Sequence, residues 1–375
     1  MSAHPIIGII GLGTMGLGIA QVFASAGFVV LASDLQPATR AKAMTQLGSD
    51  LAARVASGKL TAAARDATLT RLHIVEDLAG LAPASLLIEA IVERLDAKQA
   101  LFASLEAVVS PQAILASNTS SIPVAEVARG LTVPQRVLGL HFFNPAPVMK
   151  LVELIPHAGT LVQHLRFARH ITETTGKIVI QCPDRPGFIV NRCARPYYGE
   201  ALALLEEGRS ASEIDAAMQA AGYRLGPFSL IDLIGADINL AATVGLHAAM
   251  RQHPRYHPFA ALRAQVACGK LGRKSGAGFI FPATVGPVPT DAAAISLRID
   301  ACLINEAAWL LAEGGSADAD IDTALKLGLN FPHGPFAALA LHGKARILTT
   351  LAALERRAPP HLKTRYLPAP ALEAA

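Results

Sequence analysis

The feature that most narrows what this chain can fold into is a glycine-spaced turn between two short apolar runs. Ile6-Ile-Gly-Ile-Ile10 leads into Gly11-Leu-Gly13-Thr14-Met15-Gly16, helical spacing continues to Ala26, and Phe28-Val-Val-Leu-Ala32 stops just short of Asp34. A buried strand, a tight turn, a helix and a second buried strand form a βαβ unit on a parallel sheet. The three glycines differ in what they do. Gly11 permits the turn, Gly13 lets a pyrophosphate approach the backbone, and Gly16 brings helix against sheet. Free N–H groups and the dipole at the helix N-terminus favour phosphate. Asp34 is placed to accept hydrogen bonds from an adenosine ribose, and its charge would repel a 2′-phosphate, so the pattern predicts NAD ahead of NADP.

Strand-like runs resume at Leu86-Leu-Ile-Glu-Ala90, Ala113-Ile-Leu-Ala-Ser117, Arg136-Val-Leu-Gly-Leu-His141, a run over residues 148–155, and Lys177-Ile-Val-Ile180. A helix is predicted over residues 160–175. Residues 36–72 hold two helix-like stretches meeting at Ser57-Gly58-Lys59, which predicts a projecting helical hairpin. This segment is basic: residues 35–73 carry six Lys or Arg against two Asp, an excess equal to the net charge of +4 of the whole chain. It is either an ordinary solvated helical face or a dock for a phosphorylated ligand. The net charge is too small for a nucleic-acid surface. No apolar run reaches the roughly 18–20 residues of a membrane span. The first residues leave no room for a targeting segment, and the four cysteines share no C-x-x-C spacing. A cytoplasmic chain is expected, with no metal site, nucleic acid or membrane partner.

Pro183-Asp-Arg-Pro-Gly187 breaks the pattern, and helical periodicity follows. The two helical regions repeat each other. Glu200-Ala-Leu-Ala-Leu-Leu-Glu-Glu-Gly208, Asp215 and Gly226-Pro-Phe228 are matched by Glu306-Ala-Ala-Trp-Leu-Leu-Ala-Glu-Gly314, Asp322 and Gly334-Pro-Phe336, at offsets of 106 to 108 residues. The same features in the same order mark an internal duplication. The expected organisation is α/β: a Rossmann-type dinucleotide-binding domain over residues 1–183, with the hairpin at about 36–72, followed by two duplicated all-α domains over residues 184–284 and 290–357. Residues 358–375, rich in Pro and Ala, are expected to be a loose tail.

Four polar residues stand where strands end or elements turn: Ser120, His141, Glu153 and Asn191. Oxidising an alcohol by hydride transfer needs a base for the hydroxyl proton, and a histidine backed by a carboxylate suits that work near neutral pH. Taken singly, each has a plainer reading: Ser120 as a helix cap, His141 as a satisfied strand-end histidine, Glu153 as a strand-face carboxylate, Asn191 as a hydrogen bonder at a helix start.

Taken together, these motifs resemble the L-3-hydroxyacyl-CoA dehydrogenase family, of the 3-hydroxybutyryl-CoA dehydrogenase kind. The resemblance rests on the glycine turn, Glu89-Ala-Ile-Val-Glu93, Ser117-Asn-Thr-Ser-Ser121, His141-Phe-Phe-Asn-Pro-Ala-Pro-Val-Met-Lys-Leu-Val-Glu153, Asp184-Arg-Pro-Gly-Phe-Ile-Val-Asn-Arg192, Gly226-Pro-Phe228 and Gly272-Arg-Lys-Ser-Gly-Ala-Gly-Phe279. It implies that the chain oxidises an (S)-3-hydroxyacyl-CoA to the 3-ketoacyl-CoA with NAD, as in fatty-acid β-oxidation. His141 would be the general base and Glu153 its partner, with Ser120 and Asn191 holding the reacting oxygen and the thioester end. Gly11, Gly13, Thr14, Met15, Gly16, Asp34, Glu93, Lys98, Ser120 and Asn144 would line the NAD site, and Ser57 and Lys59 would meet the phosphates of the CoA. Relatives of the fold that oxidise small hydroxy acids without CoA, and a non-catalytic NAD(H)-binding protein, are the alternatives. Short members of the family dimerise through one helical domain, so the second copy here is expected to pack against the first as an internal pseudo-dimer that allows a monomer; because it lacks the Asp-Arg-Pro-Gly-Phe-Ile-Val-Asn motif, it is expected to be structural.

Overall fold

The computed structural model describes residues 5–373. Residues 1–4, on which the reading of no targeting segment rests, and residues 374–375 of the expected tail lie outside them. The chain divides into two compact units, one ending at Arg185 and the other beginning at Pro186, inside the Pro-Gly break.

The first unit is built on a sheet of eight strands among the described residues: β1 (Ile7–Ile10), β2 (Val30–Ser33), β3 (Leu72–Ile74), β4 (Leu86–Glu89), β5 (Ile114–Ser117), β6 (Val137–Phe142), β7 (Leu151–Pro156) and β8 (Ile178–Gln181), in the order β3-β2-β1-β4-β5-β6-β7-β8. All neighbours are parallel except β6 and β7, which are antiparallel. β3, only three residues of Leu-His-Ile at the edge, is too short for periodicity to reveal. α1 (Thr14–Ser25) crosses from β1 to β2, and α2 (Pro37–Ala56) and α3 (Ala62–Arg71) form the hairpin. α4 (Leu95–Val108), α5 (Val124–Val127) and α6 (Val162–Glu173) complete the layers. β1, β4 and β5 are buried at every position, as a parallel sheet covered on both faces requires. Phe23 of α1 packs edge-on against Phe28 and Phe142, with ring centroids 5.9 and 6.2 Å away.

The hairpin does not project freely. Ala43, Leu47 and Leu51 of α2 are buried in the main core, and Thr68 of α3 meets Ser25 of α1 at 3.2 Å between hydroxyls. An apolar stripe at helical spacing ties α2 down and leaves its basic side and the Ser57-Gly58-Lys59 turn solvated.

The second unit contains both helical copies in one compact body, where the sequence suggests two domains. α7 (Val190–Cys193), α8 (Arg195–Glu206), α9 (Ala211–Ala220), α10 (Pro227–Ile234), α11 (Ala236–Ala249) and α12 (Ala260–Ala267) belong to the first copy. α13 (Ala292–Ala312), α14 (Asp318–Leu329), α15 (Pro335–His342), α16 (Lys344–Arg357) and α17 (Pro370–Glu373) belong to the second, and α13 packs on α8 and α9. The repeated motifs have physical causes. Asp215 accepts the Phe228 and Ser229 N–H groups at the start of α10, and Asp322 accepts those of Phe336 and Ala337 at the start of α15. A Cβ on Gly226 or Gly334 would lie 2.3 or 2.2 Å from that capping aspartate, so both turns require glycine.

The repeated glutamates are exchanged between the copies. Glu200 receives Arg298 Nε at 2.6 Å, Arg365 Nε at 3.1 Å and Tyr366 OH at 3.1 Å. Glu306 receives Arg192 Nε at 2.7 Å, Arg255 Nε at 2.8 Å and Tyr256 OH at 2.6 Å. Both carboxylates are fully buried, and each pairs with two arginines and a tyrosine of the other copy. A self-complementary exchange of this kind is what a two-fold interface produces.

The expectation of a loose tail from residue 358 is wrong. Tyr366, Ala369 and Leu372 are core residues, and Arg365 closes the Glu200 cluster. Residues Pro360–Tyr366 form a 3₁₀ helix against α16, and α17 packs on α13, held by tertiary contacts that periodicity cannot register.

Candidate active site

Gly11 has φ +92°, and a Cβ there would meet the Ala90 carbonyl oxygen at 2.6 Å. A Cβ on Gly16 would overlap the Gly11 carbonyl oxygen at 1.7 Å, whereas one on Gly13 meets nothing within 4 Å. Two glycines are therefore demanded by the protein itself, and the third leaves open space at the start of α1, where no side chain caps the helix. Asp34 directly follows β2 and accepts Leu12 N–H and Gln36 N–H, both at 2.8 Å. These residues open on a cleft of about 1030 Å³ lined by Gly11, Gly13, Asp34, Arg40, Ile91 and Leu101, among others. An extended cofactor with a pyrophosphate and a ribose diol fits this set of open backbone, uncapped helix and carboxylate.

Beside the cleft, Glu93, Lys98 and Ser120 converge. Lys98, 1 % exposed, binds Glu93 at 3.1 Å, and Glu93 accepts the Ser120 N–H at 2.9 Å, the Thr119 hydroxyl at 2.7 Å and the Ser121 hydroxyl at 3.0 Å. Burial pushes the Glu93 carboxyl up, but the Lys98 ammonium and the Thr119 and Ser120 donors outweigh it and hold Glu93 below the usual carboxylate range. Sequence reasoning missed Glu89, which binds Lys98 at 2.6 Å and takes the Ser117 hydroxyl at 2.7 Å. The signal was an acid closing an otherwise apolar strand in the same motif as Glu93.

His141 and Glu153 are direct register partners across the antiparallel β6–β7 pair. His141 Nδ1 lies 2.7 Å from a Glu153 carboxylate oxygen, and Glu153 is fully buried. With its Nδ1–H donated to Glu153, the imidazole keeps Nε2 as the basic nitrogen. The His141 ring lies 4.4 Å, centroid to centroid, from Phe143, and Asn118 receives the neighbouring Phe142 N–H at 2.8 Å. Asn144 follows exposed, in a cis bond to Pro145. Lys177 secures this loop through the Ala146 and Met149 carbonyls, both at 2.6 Å, and burial pushes its ammonium down to about 8.

Asn191 belongs to the second unit, half-buried on α7, and its carbonyl accepts Arg195 Nε at 3.0 Å. Ser57 and Lys59 are exposed at the hairpin turn of the first unit, where the Ser57 hydroxyl donates to the Arg54 carbonyl at 3.1 Å. No single helix among the described residues is long and apolar enough to cross a membrane.

The model of the 3-hydroxyacyl-CoA dehydrogenase NAD-binding domain matches residues 6–185, and that of the family's C-terminal domain matches residues 187–281 and 295–374. The chain belongs to the 3-hydroxyacyl-CoA dehydrogenase family. It is an NAD-dependent dehydrogenase with a Rossmann-type first domain, and the second C-terminal match runs through the segment expected to be a tail. The 3-hydroxyadipyl-CoA dehydrogenase of Escherichia coli is 36% identical, with 96% of this chain and 95% of that protein covered. A probable 3-hydroxybutyryl-CoA dehydrogenase of Bacillus subtilis is 39% identical over 72% of this chain and 94% of its own length. The solved 3-hydroxybutyryl-CoA dehydrogenase of Escherichia coli superposes with a TM-score of 0.92 at 35% identity, covering 98% of this chain and 97% of that one.

Proposed function

We propose that the protein oxidises (S)-3-hydroxyacyl-CoA thioesters to 3-ketoacyl-CoA, reversibly, in the cytoplasm. The observation that carries this reading is the buried His141–Glu153 pair at 2.7 Å, in the unit that holds the glycine turn and Asp34. His141 Nε2 takes the proton of the 3-hydroxyl, and Glu153 stabilises the imidazolium that forms. NAD, when bound at the glycine turn, supplies the hydride acceptor. Ser120 and Asn191 orient the reacting oxygen and the thioester end, and Glu93, Lys98, Ser120 and Asn144 line the NAD site. Ser57 and Lys59, on the solvated basic hairpin, meet the CoA phosphates. The exchange of Glu200 and Glu306 between the copies supports a monomer, because the second copy occupies the position of a partner.

The test is the initial rate of NADH formation with short, long and dicarboxylic (S)-3-hydroxyacyl-CoA substrates, with the free acids as controls. 3-Hydroxyadipyl-CoA belongs in the series because a relative carries that name. Thioesters alone should turn over, and His141→Ala should lower kcat by about 10²–10⁴-fold with NADH affinity retained. Turnover of free acids would assign a small hydroxy acid instead, and NAD binding without any turnover would assign a non-catalytic protein.

A further inference from the structure

The second helical copy carries no catalytic motif, yet it grips the residue next to Asn191. Arg192 is fully buried, and all three guanidinium nitrogens end on the second copy: Nε on Glu306 at 2.7 Å, Nη1 and Nη2 on the two oxygens of Glu313 at 2.7 and 2.6 Å. We infer that Glu313 is a positioning residue for the reaction, holding through its bidentate bond to Arg192 the short turn that presents Asn191. This rests on the proposed contact of Asn191 with substrate.

Three features support it. α7 runs into α8 through Ala194 in right-handed helical geometry and is entered through Gly187 and Phe188 at φ +76° and +47°, so the chain turns sharply just ahead of Asn191. A planar guanidinium held by a carboxylate at two nitrogens fixes direction as well as distance. The duplication also supplies its own control. Arg298, 106 residues after Arg192, bonds Glu200 through Nε and Glu207 through Nη1 and Nη2 at 2.6, 2.6 and 2.7 Å. There the fork sits in the 21-residue α13, and Leu297 stands where the first copy has Asn191. One fork leads to a polar side chain of the site; its twin leads to a leucine in a long helix.

The experiment compares Glu313→Gln with Glu207→Gln in the full chain. Both glutamates are partly exposed, at 35% and 56% of their side chains, so each variant removes one charge from a fork whose buried glutamate remains. Equal small losses of thermal midpoint and unchanged NADH affinity are expected in both. kcat should fall about 10- to 100-fold in Glu313→Gln and less than threefold in Glu207→Gln, with Asn191→Ala losing at least as much as the former. Equal kcat losses in the two variants, or none in Glu313→Gln, would overturn the inference. Asn191→Ala at the wild-type rate would instead remove the role of Asn191, and this inference with it.

Discussion

Replacing Glu153 by glutamine keeps the shape of the group beneath His141 and removes its charge. The carboxylate oxygen is 2.7 Å from His141 Nδ1 and fully screened from water. Opposite charges about 4 Å apart, at an effective dielectric near 20, attract by about 4 kcal/mol. If the imidazolium is half formed when the substrate proton is in flight, about 2 kcal/mol of that is lost; if it is fully formed, all of it is. At about 1.4 kcal/mol per factor of ten, kcat should fall between about 30- and 1000-fold. The amide can also donate to Nδ1, which would move the ring proton to Nε2 and disable the base, so the larger value is the firmer expectation. Steady-state oxidation of a 3-hydroxyacyl-CoA measures kcat, and NADH titration should show unchanged affinity because the glycine turn and Asp34 are untouched. A Glu153→Gln enzyme within threefold of the wild-type kcat would refute the assignment of Glu153 as the group that stabilises the His141 imidazolium.

The glycine turn offers a paired test. Gly16→Ala drives a Cβ into the Gly11 carbonyl oxygen at 1.7 Å and should lower both thermal midpoint and NADH affinity, whereas Gly13→Ala has room within the protein and should lower only NADH affinity, by tenfold or more; a Gly13→Ala protein that binds NADH normally would place the pyrophosphate elsewhere. Lys177 predicts a pH dependence of stability. Its ammonium is pushed down to about 8 by burial, while an unfolded lysine keeps about 10.4. Below pH 8 both states hold the proton and the cost of burying the charge is carried in full; between about pH 8 and 10 the unfolded state binds more protons, so stability rises with pH. Urea unfolding near pH 7.5 and 9.5 should show wild type gaining about 1–3 kcal/mol over Lys177→Met, and a pH-independent difference would show that Lys177 is not the source.

Much of the site is legible in the primary structure because local rules produce it. Gly16 must be glycine for a steric reason within one βαβ unit and Gly11 for the positive φ of its turn, Asp34 is a fixed distance along the chain from them, and the Gly-Pro-Phe turns recur because each packs on its own capping aspartate. The duplication is visible for the same reason, since repeated local demands leave repeated residues. Relations between residues far apart in the chain are not legible in this way. His141 and Glu153 meet only because β6 and β7 run antiparallel in one register, and a slip of one residue would turn Glu153 to the other face. Glu89 reads as an acid ending an apolar strand until the fold brings Lys98 and Ser117 to it. The chain's end reads as a tail until α13 supplies the apolar surface that Tyr366 and Leu372 cover. Which elements form, and which chemistry they carry, is written in the order of residues, because propensity and sterics act between near neighbours. Which charges are paired and buried, including the exchange of glutamates between the two copies, is settled by the folded chain alone, because desolvated ion pairs depend on groups a hundred residues apart meeting within about 3 Å.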